Sequence, residues 1–265
     1  MKQPPKRPVA FVLVSTEHGT MLVNRHDYGR LGETTYGVGH QLLTSSSYDA
    51  EEVALLLSLL GFRREHFGDG VIAIDCGANI GVHTVEWARF MHGWGEVIAF
   101  EAQERIFYAL AGNVALNNCF NARAIWAAVG AGSGRIGVPI PDYCTPSSFG
   151  SLELRKTETT EDIGQPIDYS PSKTSPTRMM AIDDLGLARV DLIKIDVEGM
   201  EIEALAGARH TLEKCRPQLL IEHIKSDEAE LAAFVEAMGY KVFPVGLNLL
   251  AIHASDPVAA QVRVA

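Results

Sequence analysis

Cysteine is scarce in this chain. Four cysteines among 265 residues, at positions 76, 119, 144 and 215, form no C-x-x-C pair and have no histidine at ligand spacing. That scarcity excludes a disulfide framework and an ordinary zinc site, and it fits a reducing, cytoplasmic compartment. Long apolar runs are missing too: stretches such as residues 53–57 are far too short to span a bilayer. Surplus positive charge is also absent. The 23 Lys and Arg stand against 33 Asp and Glu, a formal charge of −10. Such a surface is not built to neutralise phosphates, so no nucleic-acid partner is expected. The basic start of the chain is followed by only six apolar residues (9–14) and no small-residue cleavage site. It reads as the approach to a β-strand rather than as a signal peptide. What the chain has in quantity is apolar material, 47% of its residues. At this length that is enough to bury a core without covalent staples.

No repeat of 20–50 residues is present, which excludes a solenoid. Residues 1–48 read as a small β-region and linker, with VAFVLV and TMLVNR flanking a tight turn at Glu17-His18-Gly19. Asp49 then caps a helix over 53–60 that Gly61 is expected to stop. The remainder, 49–265, forms the main domain. VIAID (71–75), a helix over 81–91, EVIAF (96–100), a helix over 105–117 and a strand over 124–129 alternate. Later come DLIKID (191–196), a helix over 200–214, QLLIE (218–222), a helix over 227–238, and two closing strands joined at Gly246. Strands apolar on both faces, alternating with amphipathic helices, specify a Rossmann-like α/β fold with helices on both faces of a mostly parallel sheet. The closing pair is an antiparallel hairpin at the sheet's edge. Six of the twelve prolines fall within 139–176, an insertion expected to be a substrate lid or a mobile surface excursion.

The strongest chemical signal is Asp75-Cys76-Gly77-Ala78-Asn79-Ile80-Gly81, where an apolar strand hands over to a helix. Gly77 and Gly81 allow a tight turn and a close backbone approach to a ligand. The spacing is not the G-x-G-x-x-G of a dinucleotide site, and Asp75 would repel a pyrophosphate while suiting an ammonium group. Glu101, ending the next strand, can accept hydrogen bonds from ribose hydroxyls. Acid, glycine loop and second acid together describe a nucleoside with a positively charged tail, and S-adenosylmethionine is one.

At these residues the chain resembles the FkbM-type S-adenosylmethionine-dependent methyltransferases. IDCGANIGVHT, VIAFEAQ, NVALNN, AIDDL, DLIKIDVEGMEIEALAGA and PQLLIEH carry the resemblance, in order, over residues 20–255. It implies the seven-stranded class I methyltransferase sheet. It also implies that Asp75, Gly77, Asn79 and Gly81 surround the methionine part of the cofactor. Thr84 then sits in the following helical turn, Glu101 holds the ribose, and Ala127 and Ala128 lie near the adenine. Ala102-Gln103 stands where relatives often carry proline. Phe107 is either an adenine-stacking ring or, at helical spacing with Ala111, a core residue.

A second constellation is Lys194-Ile195-Asp196-Val197-Glu198. If the strand continues through it, Lys194, Asp196 and Glu198 share one face. They are expected either as an ion pair or as groups working on the acceptor beside the transferred methyl. Glu222-His223 ends the next strand. Adjacent residues face opposite ways, so one of the two reaches the pocket, Glu222 as a carboxylate or His223 as a base near neutrality. Asp196 or Glu198 is expected as base before Glu222, and His83 is a lesser candidate for contact with substrate. The three acids are compatible with Mg²⁺, but no metal-binding pattern calls for a metal, and none is expected. The resemblance implies methylation of a hydroxyl on a small molecule, sugar or natural product; the short apolar runs leave no membrane span, and a homodimer is compatible with the chain. Two other classes are set against this: a non-catalytic S-adenosylmethionine-binding module, and a nicotinamide-dependent oxidoreductase.

Overall fold

A computed structural model describes residues 8–32 and 34–261. The basic first residues and the outer ends of the 1–48 and 49–265 spans lie outside them. The chain opens with a hairpin of β1 (Phe11–Thr16) and β2 (Gly19–Asn24), whose register leaves Glu17-His18 as the turn. A second small pair follows, β3 (Gly29–Leu31) with β4 (Thr34–Tyr36), then helices α1 (Val38–Ser45) and α2 (Ala50–Phe67). Gly61 does not stop α2. Leu56, Leu59 and Leu60 bury that face, which outweighs the roughly 1 kcal/mol a helical glycine costs. The helix ends at Gly68, whose φ of 75° lets its N–H reach the Arg64 carbonyl. Asp49 precedes the helix in a left-handed conformation and makes no side-chain cap.

The main sheet starts with β5 (Val71–Cys76), α3 (Val82–Phe90), β6 (Gly95–Glu101), α4 (Glu104–Leu116) and β7 (Ala122–Trp126). The third strand thus stops at Trp126, short of the expected 129. The chain bends there, and β8 (Ala128–Val129) joins β9 (Gly134–Pro139) and β10 (Thr174–Met180) in a separate three-stranded sheet. The main sheet resumes with β11 (Leu192–Ile195), α5 (Glu201–Ala206), α6 (Arg209–Cys215), β12 (Gln218–Glu222) and α7 (Glu228–Glu236). β13 (Tyr240–Val245) and β14 (Asn248–His253) close it. The helix expected over 200–214 is two helices, and Gly207 between them lies so close to Gly130 that a Cβ would meet its carbonyl oxygen at 2.1 Å. No helix among the described residues is long and apolar enough to cross a membrane.

The seven strands run in the order β13-β14-β12-β11-β5-β6-β7, parallel except where β14 pairs with β12 and β13. Alternation divides the core. Val71 and Ala73 pack on the layer that holds Met21, Leu42, Leu56 and Trp87, while Ile74 and Cys76 face the layer of Ala204, Leu212 and Leu231. The chain enters the sheet at its centre, runs outward through β6 and β7, then returns to β11 and works outward the other way. The strand order therefore reverses between β5 and β11, and the crevice beyond their carboxyl ends is where such sheets take ligands. The insertion is no disordered excursion: Phe149, Leu152 and Ile163 are buried, and its ends are tied by β9 and β10.

Candidate active site

A cavity of about 350 Å³ opens at that crevice. One half is built by the loop after β5. Gly77 and Ala78 both donate backbone N–H bonds to the Phe100 carbonyl, at 3.0 and 2.8 Å. Asn79, in a left-handed conformation, donates its N–H to Glu101 Oε2 at 2.9 Å, and Gln103 N–H reaches Oε1 at 2.7 Å. Glu101 is buried, and that burial pushes its carboxyl up to about 7 despite these donors. Gly77 is required for a reason other than ligand approach. A Cβ there would lie 1.7 Å from the Asp196 carbonyl oxygen, and its φ is 82°. At Gly81, φ 88°, a Cβ would strike Leu110.

Asp75 is buried, which raises its carboxyl. Thr84 Oγ1 donates to Oδ2 at 2.6 Å, while the buried Oδ1 has no partner among the described residues. A partnerless carboxylate oxygen on a cavity wall fits an ammonium-bearing ligand, since buried acceptors are normally satisfied. Thr84 is buried behind the wall, where its hydroxyl orients Asp75. Asp75, Gly77, Asn79, Gly81, Glu101, Ala127 and Ala128 all line the cavity, the two alanines beyond β7 rather than ending it. Phe107 does not. It packs with Ala78, Ala99 and Leu110 and stacks on Trp126, so the core alternative holds.

The other half lies past β11 and β12. The strand stops at Ile195, so face-sharing through Glu198 fails. Instead, residues 197–199 turn sharply, with Glu198 at φ 57°. Glu201, almost fully buried, holds that turn by accepting the N–H groups of Val197 and Gly199, each at 3.1 Å. The turn brings Asp196, Glu198 and Glu222 together, with oxygens within 4.8 Å of one another. Lys194 Nζ pairs with Asp196 at 2.6 Å, and Lys225 Nζ with Glu198 at 2.6 Å. Among the described residues the Glu222 side chain has no hydrogen bond or ion pair. Burial, then the charges of Asp196 and Glu198, pushes its carboxyl upward, and burial and Asp196 do the same to Glu198. The oxygens could surround a hard cation, but ammonium groups already hold two of the three acids. His223 lies outside the cavity, its Nδ1 3.9 Å from Glu228, so Glu222 is the member of that pair that reaches the pocket. His83 is on the wall, with Nε2 3.2 Å from Glu52.

Several side chains here carry no local sequence signal. His18, expected as a plain turn residue, is buried. Its Nε2 accepts the Tyr48 N–H at 2.9 Å, which leaves Nδ1 to donate to Glu86 at 3.0 Å and fixes Tyr48 on the cavity wall. Asp27 accepts N–H bonds from Gly39 at 2.9 Å and Phe149 at 3.0 Å, joining the N-terminal region to the insertion. Gln103 donates to the Phe149 carbonyl at 2.8 Å, linking the Glu101 corner to the same insertion. Only Glu201, an acid opening a helix, stood in a recognisable place.

The chain is similar to one family model, one methyltransferase sequence and two of the solved structures. The family model described as the Methyltransferase FkbM domain matches residues 75–242. The methyltransferase sdnD of Sordaria araneosa is 26% identical over 157 residues, 51% of this chain and 59% of that protein, so this chain spans little more than half of its relative. Among solved structures, the methyltransferase FkbM of Methylobacillus flagellatus KT is similar at 18% identity and a TM-score of 0.49, over 72% of this chain and 48% of that one. A precorrin-6y C5,15-methyltransferase from Geobacter metallireducens GS-15 is similar at 16% identity and 0.44, over 76% and 86%.

Proposed function

Because the chain belongs to the FkbM methyltransferase family, we propose that it moves the methyl group of S-adenosylmethionine to a hydroxyl oxygen of a small molecule, sugar or natural product. The cofactor supplies a methyl on a positively charged sulfur that departs readily. The protein's share is alignment and proton removal. Asp75, with one oxygen free, takes the ammonium end, and Glu101 takes ribose hydroxyls with the lone pairs its two backbone donors leave open. Neither the glycine spacing nor Asp75 favours a nicotinamide cofactor.

The observation that carries the reading is Glu222, an uncompensated carboxylate two strands from the glycine loop and in the same cavity. Asp196 and Glu198 each have a lysine ammonium in contact at 2.6 Å, whereas Glu222 faces the cavity without one, so the role falls to Glu222. As the acceptor oxygen bonds to the methyl, its proton passes to Glu222. Glu222→Gln keeps the shape and removes the proton affinity. Turnover should fall roughly 10²–10⁴-fold, with S-adenosylmethionine affinity by calorimetry little changed and EDTA without effect. Near-normal turnover in this variant would overturn the assignment. Mass spectrometry of a metabolite extract incubated with enzyme and labelled cofactor then identifies the acceptor atom.

A further inference from the structure

Lys225 follows β12 by three residues, and its side chain is only 9% exposed. It meets three groups from two separate parts of the chain. Glu198 lies 2.6 Å from Nζ, Glu161 lies 3.4 Å away, and the Ser151 carbonyl accepts a hydrogen bond at 2.5 Å. Glu198 belongs to the acid cluster, whereas Ser151 and Glu161 belong to the insertion, which forms one wall of the cavity through Ser148, Ser151 and Leu152. Without this lysine, two neighbouring acids would lack a cation, and the insertion would lose its charged tie to the site.

Building on the methyl-transfer reading, we infer that Lys225 is a positioning residue. By neutralising Glu198 it reserves Glu222 as the base, and by holding Ser151 and Glu161 it keeps the insertion closed against the acceptor. Among the described residues, the charges that weigh most on these groups come from the site and the insertion. Glu222 feels Asp196, Glu198, Lys194 and Glu201; Glu198 feels Asp196, Lys225 and Glu201; Lys225 feels Glu198, Glu161 and Glu153. Two like charges this close resist joint ionisation, so the pair titrates as a unit with one proton held harder.

Lys225→Met tests both roles. Glu222 then shares its surroundings with an uncompensated Glu198, and the acidic limb of the kcat–pH profile should move up by about one unit or more. Acceptor KM should rise as the wall loosens. Lys225→Arg should restore both. The double variant Lys225→Met with Glu198→Gln removes both charges, so the limb should return while KM stays high. A merely structural lysine would change KM and stability and leave the limb in place, which overturns the base-reserving role. Hydrogen exchange over residues 148–162, measured on the protein alone, should quicken about tenfold in Lys225→Met, and unchanged exchange overturns the closing role. Calorimetry of the wild type with S-adenosylmethionine separates the failures. No binding sinks the methyl-transfer reading and the base role with it, while the exchange result still decides whether Lys225 holds the insertion.

Discussion

Glu101 holds a loop as well as a ligand surface, and its burial makes folding stability and ligand binding respond oppositely to pH. Its oxygens accept the N–H groups of Asn79 and Gln103, and burial raises its carboxyl to about 7 from 4.5. A group raised on folding favours the folded state fully below pH 4.5 and loses that contribution as pH rises through about 7. Hydrogen bonds from ribose hydroxyls, by contrast, need the ionised form. S-adenosylmethionine affinity should therefore weaken as pH falls through about 7, and calorimetric titration on both sides of that value checks it. Glu101→Gln should weaken binding by about 1.5–3 kcal/mol and flatten the pH dependence. An unchanged dissociation constant would mean that the ribose is held elsewhere.

Between elements, single buried side chains do the joining. Asp27 sits between α1 and the insertion with both oxygens satisfied by backbone donors, and burial raises it to about 6. Asp27→Ala would leave the N–H groups of Gly39 and Phe149 without an acceptor, at about 1–3 kcal/mol each. The variant should unfold at lower urea concentration and exchange faster around residues 147–150. Unaltered exchange there would show that Phe149 is held by packing alone. His18 does comparable work for Tyr48, and Gln103 for the Glu101 corner. The cavity wall is thus assembled from three separate stretches of chain by hydrogen bonds that cross 30 to 122 positions.

At the scale of the molecule, chemistry and stability occupy opposite ends of the same strands. The acids of the site stand at the carboxyl ends of β11 and β12. Asp191, fully buried, stands just ahead of β11 and accepts from Arg63 at 3.0 Å, Arg189 at 2.8 Å and Ile72 N–H at 3.0 Å. Arg63 also pairs with Asp256 at 2.9 Å, closing the C-terminal segment onto α2. Asp191→Ala strands part of a buried charge network. It should cost about 3 kcal/mol, the low end for a broken buried pair because Arg63 keeps Asp256. Denaturation should register that loss while cofactor affinity in the folded protein stays the same. A weakened affinity would mean that the two ends are coupled through the sheet.

The parallel sheet was legible in residue order because a strand buried on both faces must be a short apolar run, and 71–75, 96–100 and 218–222 are largely apolar runs that each open just after a glycine or proline. The glycine loop was legible for the same local reason: Asp75 to Gly81 are consecutive, so strand, turn and helix start are written side by side. Strand ends were less so. Nothing in Ala127-Ala128 marks the bend that moves β8 to another sheet, and Gly61 punctuates only when tertiary packing allows it. Adjacent residues on a strand look alike to a periodicity argument, so Glu222 and His223 stayed equivalent until the sheet assigned their faces. Which acid is free to act was wholly a tertiary matter. Asp196, Glu198 and Glu222 are the same chemistry in sequence, and they differ because Lys194 and Lys225 come within 2.6 Å of two of them. A charge is chosen by its neighbours in space, and here folding supplies those neighbours.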